Sequence, residues 1–93
     1  MPKFVVEHNL PGVGRLTAEE LKSVADRASR AITDMGPDLL LIETYVSDDK
    51  LFCVFYAPDE HVLKESARLA RFKIARVSEV ESDTRPDERR APS

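Results

Sequence analysis

The sequence predicts an α+β domain in the order β-α-β-β-α-β, on three observations. A short β-branched run precedes a helix with complete start and stop signals. Two apolar runs then flank a polar turn near the middle of the chain. A second capped helix leads into a last short strand. At 93 residues the chain suits one small domain, with a core that is marginal when the chain stands alone.

Residues 3–8 (KFVVEH) form the first predicted strand, and Pro11, Gly12 and Gly14 mark the loop after it. Thr17 is a good N-cap, and Glu20, three residues on, completes a capping box. Leu21, Val24, Ala25, Ala28, Ile32 and Met35 recur at helical spacing, and Gly36-Pro37 ends the helix. Residues 38–46 (DLLLIETYV) and 51–57 (LFCVFYA) read as strands two and three, joined as a hairpin by the turn formers SDDK. Asp59 caps the second helix, whose stripe is Val62, Leu63, Ser66, Ala67, Leu69 and Ala70. Residues 76–80 (RVSEV) make a short fourth strand. Residues 1–81 are thus expected to form the domain. Residues 82–93, which lack any apolar pattern, are expected to form a disordered tail.

This order is the split βαβ, or ferredoxin-like, pattern: right-handed crossovers place two helices on one face of a four-stranded antiparallel sheet. Strands two and three are nevertheless apolar on both faces. Simple alternation points Leu39 and Leu41 one way and Leu40, Ile42 and Val46 the other, while Leu51, Cys53 and Phe55 oppose Phe52, Val54 and Tyr56. Each buried Leu, Val or Phe stabilises by about 1.5–3 kcal/mol, so a wet apolar face forfeits several kcal/mol. The economical expectation is a homodimer joined through the open sheet faces; a ligand held in that face is the alternative.

A formal net charge of −3 argues against a nucleic-acid partner. The third strand, KLFCVFY, also lacks the small residues and the second stacking aromatic of an RNA-recognition sheet. One cysteine makes no internal disulfide, which suits a reducing cytoplasm. No apolar run is long enough for a membrane span or a secretion signal. There is no P-loop, GxSxG, HExxH or CxxC, so the common motif-borne enzyme classes have no support.

The runs MPKFVVEHNLPG, LTAEEL, MGPD, TYVSDDKLFCVFYAPDE and KESARLARFKIARVSEV resemble a family of small bacterial proteins of unknown function with nickel-binding members. The hairpin segment is the most specific part of the likeness, which covers most of residues 1–80. The resemblance implies a ferredoxin-like dimer and nickel or another divalent transition metal as ligand. It also implies histidines in the second helix and before the last strand, at positions held here by Ser66 and Phe72. The family's Gly-Gly-Phe-Pro turn becomes Ala70-Arg71-Phe72-Lys73, and His8 is the one expected histidine with a counterpart.

Four residues are the candidate metal ligands. His8 follows Glu7 in the first strand, where two copies across a dimer axis would assemble a partial site. His61 and Glu65 are four apart on the second helix, a two-point clip for Ni²⁺ or Zn²⁺. Each has a plainer reading, as a strand-end histidine and as an exposed helix pair. Cys53, mid-strand between apolar neighbours, reads as a small core residue, and Asp48-Asp49 as turn chemistry. No catalytic residue is assigned in the main reading. The alternative is a cofactor-independent enzyme of the isomerase or cyclase type, or a ligand-binding protein, with a pocket between sheet and helices. Glu7, Glu43 and Tyr45 would be its polar groups. A third reading is an accessory subunit whose open sheet binds another protein. The expectation is therefore a small dimeric metal- or ligand-binding protein.

Overall fold

The structure, a computed structural model, describes residues 1–82; the expected tail lies, apart from Ser82, outside the described residues. The strands are β1 (Lys3–Asn9), β2 (Leu40–Val46), β3 (Lys50–Tyr56) and β4 (Ile74–Glu79). The helices are α1 (Ala18–Asp34) and α2 (Glu60–Ala70), and a 3-10 turn at Val13–Arg15 stands in the first loop. The strands form one antiparallel sheet in the order β2-β3-β1-β4, the ferredoxin-like arrangement. Among the described residues, no helix is long and apolar enough to cross a membrane.

The helices start where capping chemistry says they should. Thr17 accepts from the Glu20 backbone N–H at 3.1 Å, and Glu20 accepts from the Thr17 N–H at 2.9 Å. Asp59 accepts from the Val62 N–H at 3.1 Å. Two of the four orphan donors of α1 are thereby satisfied within one capping box. At the far end of α2, Arg71 adopts a left-handed backbone, φ 62°, a conformation that favours glycine.

The core gathers on the helix-facing side of the sheet: Phe4 and Val6 from β1, Leu51, Cys53 and Phe55 from β3, with Leu39, Ala57 and Leu63. Strand alternation sends Val5, Glu7, Phe52, Val54 and Tyr56 to the open face.

β2 does not keep simple alternation. Leu41 pairs with Phe55 but Glu43 pairs with Val54, so Ile42 is the extra residue of a bulge. The bulge inverts the side-chain parity of everything after it. Thr44 and Val46, opposite Cys53 and Leu51, therefore lie on the helix side, and Glu43 and Tyr45 join the open face. Simple alternation puts Val46 beside Leu40 and Ile42; the unpaired Ile42 is the physical reason it lies on the other face.

The loop after β1 is clamped to the hairpin turn. Leu10 N–H donates to the Asp49 carbonyl at 2.9 Å, and Gly14 N–H to the Asp48 carbonyl at 3.1 Å. Gly12 N–H donates to the Asp49 carboxylate at 2.9 Å. A Cβ on Gly14 would stand 2.7 Å from the Ser47 carbonyl oxygen and 2.9 Å from Asp48 Cα. Gly14→Ala must push backbone apart and is expected to cost about 1–3 kcal/mol in urea denaturation. Arg71→Gly relieves a left-handed arginine and is expected to stabilise by about 0.5–1 kcal/mol in the same assay.

Candidate functional site

α1 packs against α2 more than it settles on the sheet, and Ala31 is its one buried residue. Its inward stripe is short where it crosses the sheet, at Ala25 and Ala28, and α2 answers with Ser66, Ala67 and Ala70. Small side chains on both helices leave a cavity of about 330 Å³ between helices and sheet. Val6, Leu41, Leu51 and Phe55 form much of its floor. It opens between α1 and the β2 edge, where Leu21 and Val46 are exposed.

His8 is the imidazole in this lining. It is buried, 5% exposed, with its ring against Phe72 at a centroid distance of 5.5 Å. An irregularity in the β1–β4 pairing after Glu7 brings His8 opposite Ile74, next to the Lys73 carbonyl. His8 Nδ1 lies 3.2 Å from that carbonyl oxygen. A carbonyl only accepts, so Nδ1 carries the proton and Nε2 is left with its lone pair. No buried side-chain nitrogen or oxygen among the described residues lacks a partner, so Nε2 is the atom that reaches open space. The Ser66 hydroxyl opens on the cavity in the same way. Burial lowers the His8 pKa, opposed by the bond to the Lys73 carbonyl, and the ring is held neutral. Burial pushes the Cys53 thiol up, so it stays protonated; Thr44 Oγ1 lies 4.0 Å from its sulfur.

The four candidate metal ligands do not converge. Glu7 points to the face opposite His8 and pairs with Lys50 Nζ at 2.9 Å. His61 is exposed in the first turn of α2. Glu65, on the next turn, is held by Arg68, whose hydrogen bond lowers the carboxyl pKa with a smaller contribution from His61. Among the described residues, no three or more His, Cys, Asp or Glu side chains are placed to hold a metal ion. Around His8 the set is one neutral imidazole, a protonated thiol, the Ser66 hydroxyl and the Phe72 ring, which does not fit a nickel centre.

Glu7, Glu43 and Tyr45 do not line the cavity, contrary to the pocket reading that gave them that role. All three lie on the open face: Tyr45 and Glu7 flank Phe52, and Glu43 lies opposite Val54. The Tyr45 hydroxyl donates to the Glu43 carboxylate. The polar groups of the cavity are instead His8, Ser66, Ser29, Thr44 and Cys53. Sequence reasoning missed Ser66 and Phe72 as wall residues. The available signal was that the resemblance placed both in one set with His8, and the fold brings all three to one cavity.

A histidine whose folded pKa is lowered takes up its proton later than the unfolded chain does. Its contribution is constant above the unfolded pKa and is lost as pH falls towards the folded value. The urea midpoint of the wild type is therefore expected to fall more than that of His8→Gln between pH 8 and pH 5. The excess slope should begin below about pH 6.5 and not exceed about 1.4 kcal/mol per pH unit.

No curated protein matches the chain. The crystal structure of SCO4226 from Streptomyces coelicolor A3(2) superposes with a TM-score of 0.73 at 14% sequence identity, covering 88% of this chain and 99% of that one. At that identity the likeness establishes the fold. The family model for "Nickel responsive protein SCO4226-like" matches residues 4–80, nearly all of the folded domain, and the chain belongs to that family.

Proposed function

We propose that this protein binds a small, mainly apolar molecule in the cavity between its helices and its sheet. The observation that carries the reading is the cavity itself: about 330 Å³, walled by aliphatic and aromatic side chains, with His8 among a few polar groups. Ligand sites have this composition, and this volume is at the small end of their range. A filled cavity covers apolar wall at about 25 cal/mol per Å². Binding is favoured over catalysis because the histidine there has neither a carboxylate partner nor an activated nucleophile beside it. The single cysteine and the ordinary charge balance suit the cytoplasm.

Two copies join through their open sheet faces in this reading. Leu40, Ile42, Tyr45 and Tyr56 are 55%, 38%, 55% and 36% exposed there, around half-buried Val5, Phe52 and Val54. A patch of this kind marks an interface. Light scattering at micromolar concentration is expected to give twice the chain mass; a monodisperse monomer sinks the dimer.

The family description favours a second reading, a nickel response. The residue pair that serves it is His61 and Glu65, one turn apart on the surface of α2. Two donors make a weak clip. Calorimetry with Ni²⁺ on metal-stripped protein is expected to show no submicromolar site, and His61→Ala to remove what weak binding there is. Submicromolar binding lost in His8→Ala would overturn the cavity reading in favour of a metal.

The cavity is tested with N-phenyl-1-naphthylamine, a neutral apolar fluorophore. Its emission is expected to rise on binding. Ala25→Trp, which fills the mouth from an exposed position of α1, is expected to reduce the affinity severalfold with the thermal midpoint retained. Equal binding by this variant would place the dye elsewhere, and the reading would fail.

A further inference from the structure

We propose that the ligand of this cavity carries a neutral hydroxyl, and that His8 Nε2 accepts its proton in a hydrogen bond. This rests on the cavity reading and names the chemical class of its occupant. The geometry fixes the polarity of the contact. His8 Nδ1 is committed as a donor to the Lys73 carbonyl, 3.2 Å away, so Nε2 can only accept. That atom has no protein partner among the described residues and reaches the cavity.

A buried acceptor without a partner loses its hydration when an apolar molecule fills the space beside it, which costs about 1–3 kcal/mol. A purely hydrocarbon occupant therefore leaves Nε2 unsatisfied. A carboxylate fails for a different reason: it brings acceptors to an acceptor and needs a protonated ring, which burial opposes. Among the described residues, no cation in contact with His8 or Phe72 lines the cavity: Arg27 of α1 lies 4.7 Å from the Phe72 centroid without being among the lining residues, and Lys73 reaches His8 through its main chain. Cys53 on β3 is neutral, and Glu7 points away on the other face of β1.

An alcohol or phenol satisfies each condition, since its O–H donates to Nε2. Its oxygen can in turn accept from Ser66, whose hydroxyl opens on the same cavity. The walls accept one or two fused rings, and Phe72 offers a face for edge-to-face contact. The ligand class is a small hydroxylated aromatic or aliphatic molecule with its hydroxyl at the His8 end and its apolar body towards α1.

The test is a calorimetric series on the full chain at pH 7.5 with 2-naphthol, 2-methoxynaphthalene, naphthalene and 2-naphthoate. The ether keeps the oxygen and the ring but removes the donor. The naphthol is expected to bind about three- to tenfold tighter than the ether and naphthalene, the range of one net hydrogen bond. His8→Phe is expected to erase that preference while retaining affinity for naphthalene. Imidazole ¹⁵N shifts of the wild type supply a readout that needs no variant: Nε2 should be the unprotonated nitrogen and should move when the naphthol is added. Equal affinity for naphthol, ether and naphthalene overturns this inference and leaves the cavity reading standing. Tightest binding of the naphthoate, or a proton on Nε2 in the free protein, overturns it as well. No binding of any of the four overturns both.

Discussion

A helix can close the space beneath it only with the side chains it turns inward, and in this molecule both helices turn small ones. Ala25 and Ala28 on α1 face Ala67, Ala70 and Ser66 on α2 across the same region. The sheet beneath offers ordinary core residues, Val6, Leu51 and Phe55, but there is too little volume above to meet them. Packed interiors leave few voids larger than a water molecule, so a cavity of this size is a feature of the side-chain choice rather than of the topology. The exposure of much of α1 and the open mouth at β2 accompany this shortage of volume.

Much of the fold was legible because local signals agreed with one another. Thr17 with Glu20, Asp59 before Val62, and Gly36-Pro37 each name a helix end through hydrogen-bond arithmetic that needs no tertiary context. Strand alternation located the core face of β1 and β3 for a similar reason. β2 was harder. Its residues look uniformly strand-like, and nothing in LLIETYV signals that Ile42 is unpaired; the bulge shows only in the pairing with β3. One such residue moves Val46 to the helix side and carries Glu43 and Tyr45 to the open face. The candidate site was less legible still. A cavity is a property of three elements meeting, and a serine in an apolar stripe reads equally well as an imperfection. Ser66 and Phe72 entered the sequence reading only as missing histidines.

That substitution pattern gives the family membership its meaning here. At the three places where the resemblance expects imidazoles, this chain has His8, Ser66 and Phe72, and the fold brings them to one cavity. One imidazole, a hydroxyl and a phenyl ring fall short of the donor count of a metal site and leave the wall largely apolar. The Lys73 carbonyl accepts the hydrogen bond that orients the His8 ring. In this chain the fold aims one nitrogen and one hydroxyl at a largely apolar space that opens at the β2 edge.

The clamp between the first loop and the hairpin turn bears on how such a space is entered. Leu10, Gly12 and Gly14 fasten Asp48 and Asp49 by main-chain donors, and the Ser47 N–H closes on the Lys50 carbonyl at 2.9 Å. The β2 rim of the mouth is thus pinned on one side by the sheet ladder and at its end by this clamp. Moving it breaks several backbone bonds together. The opposite rim is α1, held there by side-chain contacts alone, with Gly36 at one end in a left-handed conformation and nothing within 4 Å of where its Cβ would be. The two rims differ in what it costs to displace them, and the helix is the cheaper. The two walls of the chamber are thus fastened by different kinds of bond: the sheet side by a main-chain ladder and its clamp, the helix side by packing.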